Sequence, residues 1–221
     1  MVSKLQNKSI HLAKINPLMK NSFFLIYLLT IVIGCTKEIK LTFADEIEAY
    51  QYELNVFYSD NKTSPLKKKD LKSFKHLDFF PTDERFKIVA AFERTPNEIP
   101  FEMPTSTDRL PIYTQYGIAT FTIDGKELSL RLYQSQSSAL DPDYDGHLFV
   151  PFNDLTNGNE TYDAGRYIDL SIPEANTIVI DFNKSYNPYC AYNNRYSCPI
   201  PPRENNLNVE IKAGVLAFGE H

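Results

Sequence analysis

The chain reads as a mainly β protein, a single antiparallel β-sandwich or barrel-like domain with a short N-terminal helical region. Three observations carry that reading. From Arg85 onward, short segments alternate apolar and polar residues with a period of two. Asp124-Gly125 separates two of the clearest of them, and Asp-Gly is the pair a type I′ hairpin turn favours. Apolar spacing of three and four residues is confined to the stretch before Pro81.

The first 34 residues stand apart from this pattern. They hold Lys4, Lys8, Lys14 and Lys20 and no acid, and Phe23 to Ile33 is a mostly apolar run of eleven residues after Lys20. A bilayer core takes about 20 helical residues, so the run predicts a secretory signal instead of a span. Val32-Ile33-Gly34-Cys35 resembles a bacterial lipobox, in which Cys35 is acylated and becomes the new N-terminus. The expectation is a signal peptide over 1–34, with Met19 a more usual start than Met1, and a tether over 35–45. The mature chain would be held on a bacterial membrane, in the cell envelope, on the periplasmic or outer-surface side. Several acyl chains anchor stably, since each buried methylene contributes about 0.8 kcal/mol. Loss of the leader's four lysines moves the formal charge from −5 to −9. Such a surface repels phosphate backbones, so nucleic acid is not an expected partner.

Ile47, Tyr50, Leu54 and Phe57 recur at helical spacing and open a single domain over 46–221. Ser64-Pro65 then reads as an N-cap with proline in the first turn, and Leu71, Phe74 and Leu77 continue the period as far as Pro81. Strands follow. Phe86, Ile88, Ala90 and Phe92 share one face; Phe121 and Ile123 precede the Asp-Gly turn and Leu128, Leu130 and Leu132 follow it. "HLFVPF", "RYIDLSI", "TIVIDF" and "NVEIKA" complete the set.

Few motifs point to chemistry. "DPDYDGH" (Asp141 to His147) opens like a calcium loop, but Phe149 and Phe152 stand where later oxygen ligands belong, so it reads as an acidic turn. "NDLTNGNETYDAGRY" offers Asp154, Glu160, Tyr162 and Arg166 on a loop between strands, where ligand groups often sit. Without a ligand, Arg166 would pair with Asp181 or Asp169. Cys190 and Cys198 lack the second pair a zinc site needs, and export favours a disulfide between them. No cofactor fingerprint appears and no metal site is expected.

Three segments, "FFP", "LFVPFNDLTNGNETYDAGRYIDL" and "IDFNKSYNPYCAYNNRYSCPIPPRENNLNVEIKAG", resemble domain-of-unknown-function family 1684 of bacteria and archaea. The resemblance covers Ser64 to Gly214. The chain departs from it at Asp163-Ala164, where Gly-Gly is common, and at Val215, where the family usually has Glu. The resemblance supplies no activity. It implies that "TYDAGRY" and "DFNKSYNPYCAY" meet in space. It also leaves the oxidation of the two cysteines open, because members without export signals carry them too.

Tyr186 to Asn205 concentrates four tyrosines, four prolines and both cysteines. The prolines bar a central strand, so the segment is expected to cross the surface as a lid. Tyr186, Tyr189 and Tyr192, with Asn183 and Asn187 beside Tyr162 and Arg166, would then suit a small polar or carbohydrate ligand. The favoured expectation is a lipid-anchored binding or accessory module. The alternatives are a hydrolase using Asp154, Glu160 or Asp181 beside Arg166, and a purely structural envelope protein whose lid covers a sheet edge.

Overall fold

The computed structural model describes residues 41–137 and 146–219. The leader, Cys35 and the tether as far as residue 40 lie outside the described residues, as does most of the Asp141–His147 loop.

Helix α1 (Phe43–Ser59) begins at a capping box. The Thr42 hydroxyl accepts from the Asp45 N–H, and the Asp45 carboxylate accepts from the Thr42 N–H at 2.8 Å, which satisfies donors the first turn leaves open. Ile47 and Tyr58 are buried from the helix. The spacing of Leu71, Phe74 and Leu77 does not produce the second helix expected before Pro81. Only α2 (Lys68–Leu71) forms, without a side-chain cap. Ser64 closes its own turn by accepting from the Leu66 N–H at 3.2 Å. The Leu77 N–H is taken by Asn55 at 2.6 Å, and Phe79 bridges Val215. The apolar residues are still covered, packed with Tyr58, Tyr192 and Val215 in a small second core, but Phe74 and Leu77 lie outside any helix.

Among the described residues seven strands follow: β1 (Lys87–Arg94), β2 (Phe101–Glu102), β3 (Ile112–Ile123), β4 (Lys126–Ser135), β5 (His147–Phe152), β6 (Arg166–Ser171) and β7 (Thr177–Asp181). They make one antiparallel sheet in the order β6-β5-β4-β3-β1-β7, with β2 beside β3, curled into a half-barrel. The hairpin tip is as the sequence requires: Ile123 faces Lys126, and Asp124 and Gly125 take φ of 48° and 75°, positive at both central positions as type I′ demands.

The two faces of the sheet differ. Ala119, Phe121, Leu130, Leu132, Leu148, Val150, Phe152 and Ile168 fill the main core. The opposite face carries Phe101, Tyr113, Tyr133, Phe149 and Tyr167, a row of aromatics around Met103. A strand over "NVEIKA" is not formed. Val209, Ile211 and Ala213 do alternate into the main core, but their backbone groups pair with side chains and a loop instead of a neighbouring strand. Arg166 donates to the Ile211 and Ala213 carbonyls, Asp154 accepts from the Ile211 N–H, and Leu155 donates to the Val209 carbonyl.

Candidate functional site

The loop singled out for chemistry turns inward. Arg166 and Asp154 have no exposed side-chain surface, and the guanidinium meets the Asp154 carboxylate at 2.8 Å. The other Asp154 oxygen accepts from the Thr156 N–H and hydroxyl and from the Ile211 N–H. Through Nη1 and Nη2 Arg166 also donates to the carbonyls of Ile211, Ala213 and Val215, while its buried Nε has no partner among the described residues. Burial pulls its pKa down while Asp154 opposes that shift. Every oxygen of this carboxylate is committed, so the pair frames the core. The expected partners Asp181 and Asp169 are engaged elsewhere. Asp181 caps the Phe182–Lys184 turn by accepting from the Asn183 N–H, and Asp169 accepts from Tyr186.

Two asparagines expected at a pocket mouth are also structural. Asn183 is buried, its amide exchanging hydrogen bonds with the Asp83 backbone at 2.9 and 3.0 Å. Asn187 is buried and donates to the Leu216 carbonyl. Tyr192 is buried against Tyr58, with ring centroids 4.8 Å apart, and burial raises its hydroxyl to about 12. Glu160 sits at the surface, paired with Lys212 at 3.0 Å.

The tyrosines that remain gather on the aromatic face of the sheet. Tyr186 and Tyr167 exchange backbone hydrogen bonds of 3.0 and 2.9 Å, so the proline-rich segment closes on the edge strand β6 and the two signature blocks meet. The Tyr167 ring stands edge-on to Phe149 at 4.7 Å and to Tyr186 at 5.8 Å, and its hydroxyl donates to the Pro199 carbonyl. Asp169 holds the Tyr186 hydroxyl at 2.7 Å and His147 at 2.9 Å. Burial, then the Asp169 charge, pushes the Tyr186 phenol well above its ordinary range, so it stays protonated and donates.

Between these rings lies a cleft of about 250 Å³, walled by Tyr113, Phe149, Tyr167, Tyr186, Tyr189 and Cys198 with Arg109 at its rim. Arg109 is exposed and is steadied by Ser197, its Nε at 3.1 Å from the hydroxyl and its Nη2 at 2.7 Å from the carbonyl. Flat aromatic walls beside a guanidinium can stack a ring or sugar face and pair with an anionic substituent. A second hollow of about 230 Å³, lined by Tyr50, Phe57 and Asp169, shares the Tyr186–Tyr189 partition.

Cys198 lines this cleft and Cys190 follows its wall residue Tyr189; both are free thiols, so the segment is held without a covalent staple. The Cys190 N–H donates to the Cys198 sulfur at 3.0 Å, and the Tyr162 hydroxyl lies 3.8 Å from the Cys190 sulfur. Hydrogen bonding from Cys198 leads the causes that draw the Cys190 thiol down to about 7, against its burial; the same bond and burial push Cys198 up. Among the described residues, no cluster of His, Cys, Asp and Glu is able to hold a metal ion, and no helix is long and apolar enough to cross a membrane.

Residues 72–216, which include the ion pair, the whole cleft and both cysteines, match the family described as "Protein of unknown function (DUF1684)". The chain belongs to that family. A solution NMR structure of an uncharacterized protein from Haloarcula marismortui is similar, with a TM-score of 0.63 and 30% identity, over 80% of this chain and 95% of that one. No curated protein matches. Helix α1 precedes the family match, so the site is built inside the shared region.

Of the ligand residues expected from the sequence, Tyr186 and Tyr189 wall the cleft, whereas Tyr162 is outside its lining and meets the Cys190 sulfur instead. Arg109, Tyr113, Phe149 and Tyr167 were not anticipated. A signal for three of them exists. Tyr113, Phe149 and Tyr167 occupy strand positions facing away from the main core, where a half-buried sheet normally carries polar residues.

Proposed function

We propose that the protein is a lipid-anchored binding module of the cell envelope whose aromatic cleft takes a small ligand with a flat face and an anionic group. The observation that carries the reading is the cleft itself. A hollow of about 250 Å³ is walled by five aromatic rings on the sheet face opposite the main core, with Arg109 at the rim. An acidic sugar fits that chemistry: its less polar face stacks on tyrosine and its carboxylate meets the guanidinium. Anchoring rests on the basic, apolar, Gly34-Cys35 order of the leader.

The carboxylates Asp154, Glu160 and Asp181 are dispersed among separate ion pairs and turns, which favours the binding reading over a hydrolase built on them. Calorimetric titration of the purified full chain with glucuronate, glucose and benzoate tests the binding reading. Glucuronate is expected to bind tightest, and Arg109→Ala and Tyr189→Ala each to weaken it by roughly tenfold, the worth of about 1.4 kcal/mol. Binding that neither substitution changes would overturn it.

A further inference from the structure

The ion pair, the cleft and the lid leave one feature unused, the asymmetric pair of thiols. We propose that Cys190 and Cys198 form a thiol–disulfide exchange site that reduces a low-molecular-weight disulfide, with Cys190 as the attacking sulfur and Cys198 as the resolving one. The geometry assigns the roles. Cys190 sits in the 3-10 turn Tyr189–Ala191 and is half-buried, the more exposed of the two cysteines. Cys198 is only 6% exposed. Its N–H donates to the Ser106 hydroxyl at 3.1 Å and its carbonyl accepts from the Ser106 N–H at 2.9 Å, which clamp it in place. The Cys190 N–H on the Cys198 sulfur keeps the two groups adjacent.

The surroundings favour a thiolate at Cys190. The Tyr162 hydroxyl points to its sulfur, and burial keeps that phenol protonated and able to donate. Cys190 is drawn down to about 7 while Cys198 is raised. A reactive, accessible thiolate beside a buried thiol is the arrangement exchange chemistry uses. Pro188 and Pro199 flank the pair and limit how far the turn can drift.

In the first step the Cys190 thiolate attacks one sulfur of the substrate disulfide. The substrate S–S bond breaks, one thiolate leaves, and a mixed disulfide remains on Cys190. In the second step Cys198 gives its proton to that leaving thiolate and attacks the Cys190 sulfur. The Cys190–Cys198 bond forms, and the second substrate half departs as a thiolate that takes a proton from solvent, restoring the one Cys190 had released. The substrate gains two electrons and the protein dithiol loses two. The proposal stands independently of which ligand the cleft takes.

The test uses the reduced full chain and oxidised glutathione, read peptide by peptide so that Cys35 does not contribute. Wild type is expected to finish as the Cys190–Cys198 disulfide, reversible by excess reduced glutathione. Cys198→Ser should accumulate a glutathione adduct on Cys190, and Cys190→Ser should react at least tenfold more slowly at Cys198. Acid quenching of wild type, which needs no variant, should trap the mixed disulfide on Cys190. Three results would each overturn the proposal: a wild type that stays reduced, adducts formed first at Cys198, or a disulfide that reduced glutathione cannot open.

Discussion

Arg166 meets Asp154 at 2.8 Å with no side-chain surface exposed on either, and together they hold the backbone of Ile211, Ala213 and Val215 against the sheet. A charge pair usually belongs at a surface or a site, because desolvation opposes burying it. Here it replaces a strand ladder. The C-terminal segment supplies Val209, Ile211 and Ala213 to the core, and two side chains satisfy backbone groups that a neighbouring strand would otherwise have paired.

Arg166→Met is therefore expected to strand the Asp154 charge and three carbonyls, costing about 3–5 kcal/mol. Urea denaturation of the purified protein checks this. A loss below about 1 kcal/mol, the scale of an exposed pair, would mean the ion pair does not hold the segment.

Asn205 does related work between strands. It is fully buried, accepts from the Arg131 N–H at 2.8 Å, and donates to the Arg131 and Pro151 carbonyls at 2.9 and 2.7 Å. A side-chain amide thus stands in for a peptide group between β4 and β5. Asn205→Leu keeps the volume and strands those groups, each costing about 1–3 kcal/mol. The same urea denaturation should show the loss, together with faster hydrogen exchange of the Arg131 amide.

Gly214 has φ of +79°, and a Cβ there would lie 2.0 Å from the Ser185 hydroxyl and 2.7 Å from the Phe182 carbonyl. The backbone approach needs glycine on both counts. Gly214→Ala should destabilise by more than about 1 kcal/mol, and Gly214→Ala with Ser185→Ala should recover only part, since the Phe182 backbone contact persists.

These features differ in how far the sequence discloses them. The Asp124-Gly125 hairpin is legible because turn chemistry and flanking alternation agree. "NVEIKA" alternates equally well, yet its partners are the Arg166 and Asp154 side chains, and periodicity does not say what a backbone pairs with. Leu71, Phe74 and Leu77 keep helical spacing, but Asn55 and Val215 claim the backbone at Leu77 and Phe79. The lid's tyrosines are visible as composition. Arg109 is not, since it comes from an irregular segment brought to the cleft by Ser197, 88 positions away.

Cys190 also gives a pH dependence. Its thiol is depressed from 9.0 to about 7 in the fold, so the thiolate is favoured by the native state. The resulting stabilisation grows as pH rises from about 7 towards 9 and is lost as pH falls through 7. Alkylation by iodoacetamide follows the thiolate, so its rate at Cys190 should be half-maximal near pH 7, whereas Cys198, which is raised, should stay slow throughout. A Cys190 midpoint near 9 would remove the asymmetry.

The ligand site is tested most directly by NMR on the full chain with labelled tyrosine and arginine, titrated with glucuronate. A competing location exists: an open hollow of about 500 Å³ near the hairpin tip, where Arg85, Lys126 and Lys212 mix with Asp83, Asp124 and Glu210. Binding in the aromatic cleft should shift Tyr113, Tyr167, Tyr189 and Arg109 first, and these shifts should fade in Arg109→Ala. Shifts led by Arg85 at the hairpin tip, or none at Tyr189 at saturating glucuronate, would contradict it.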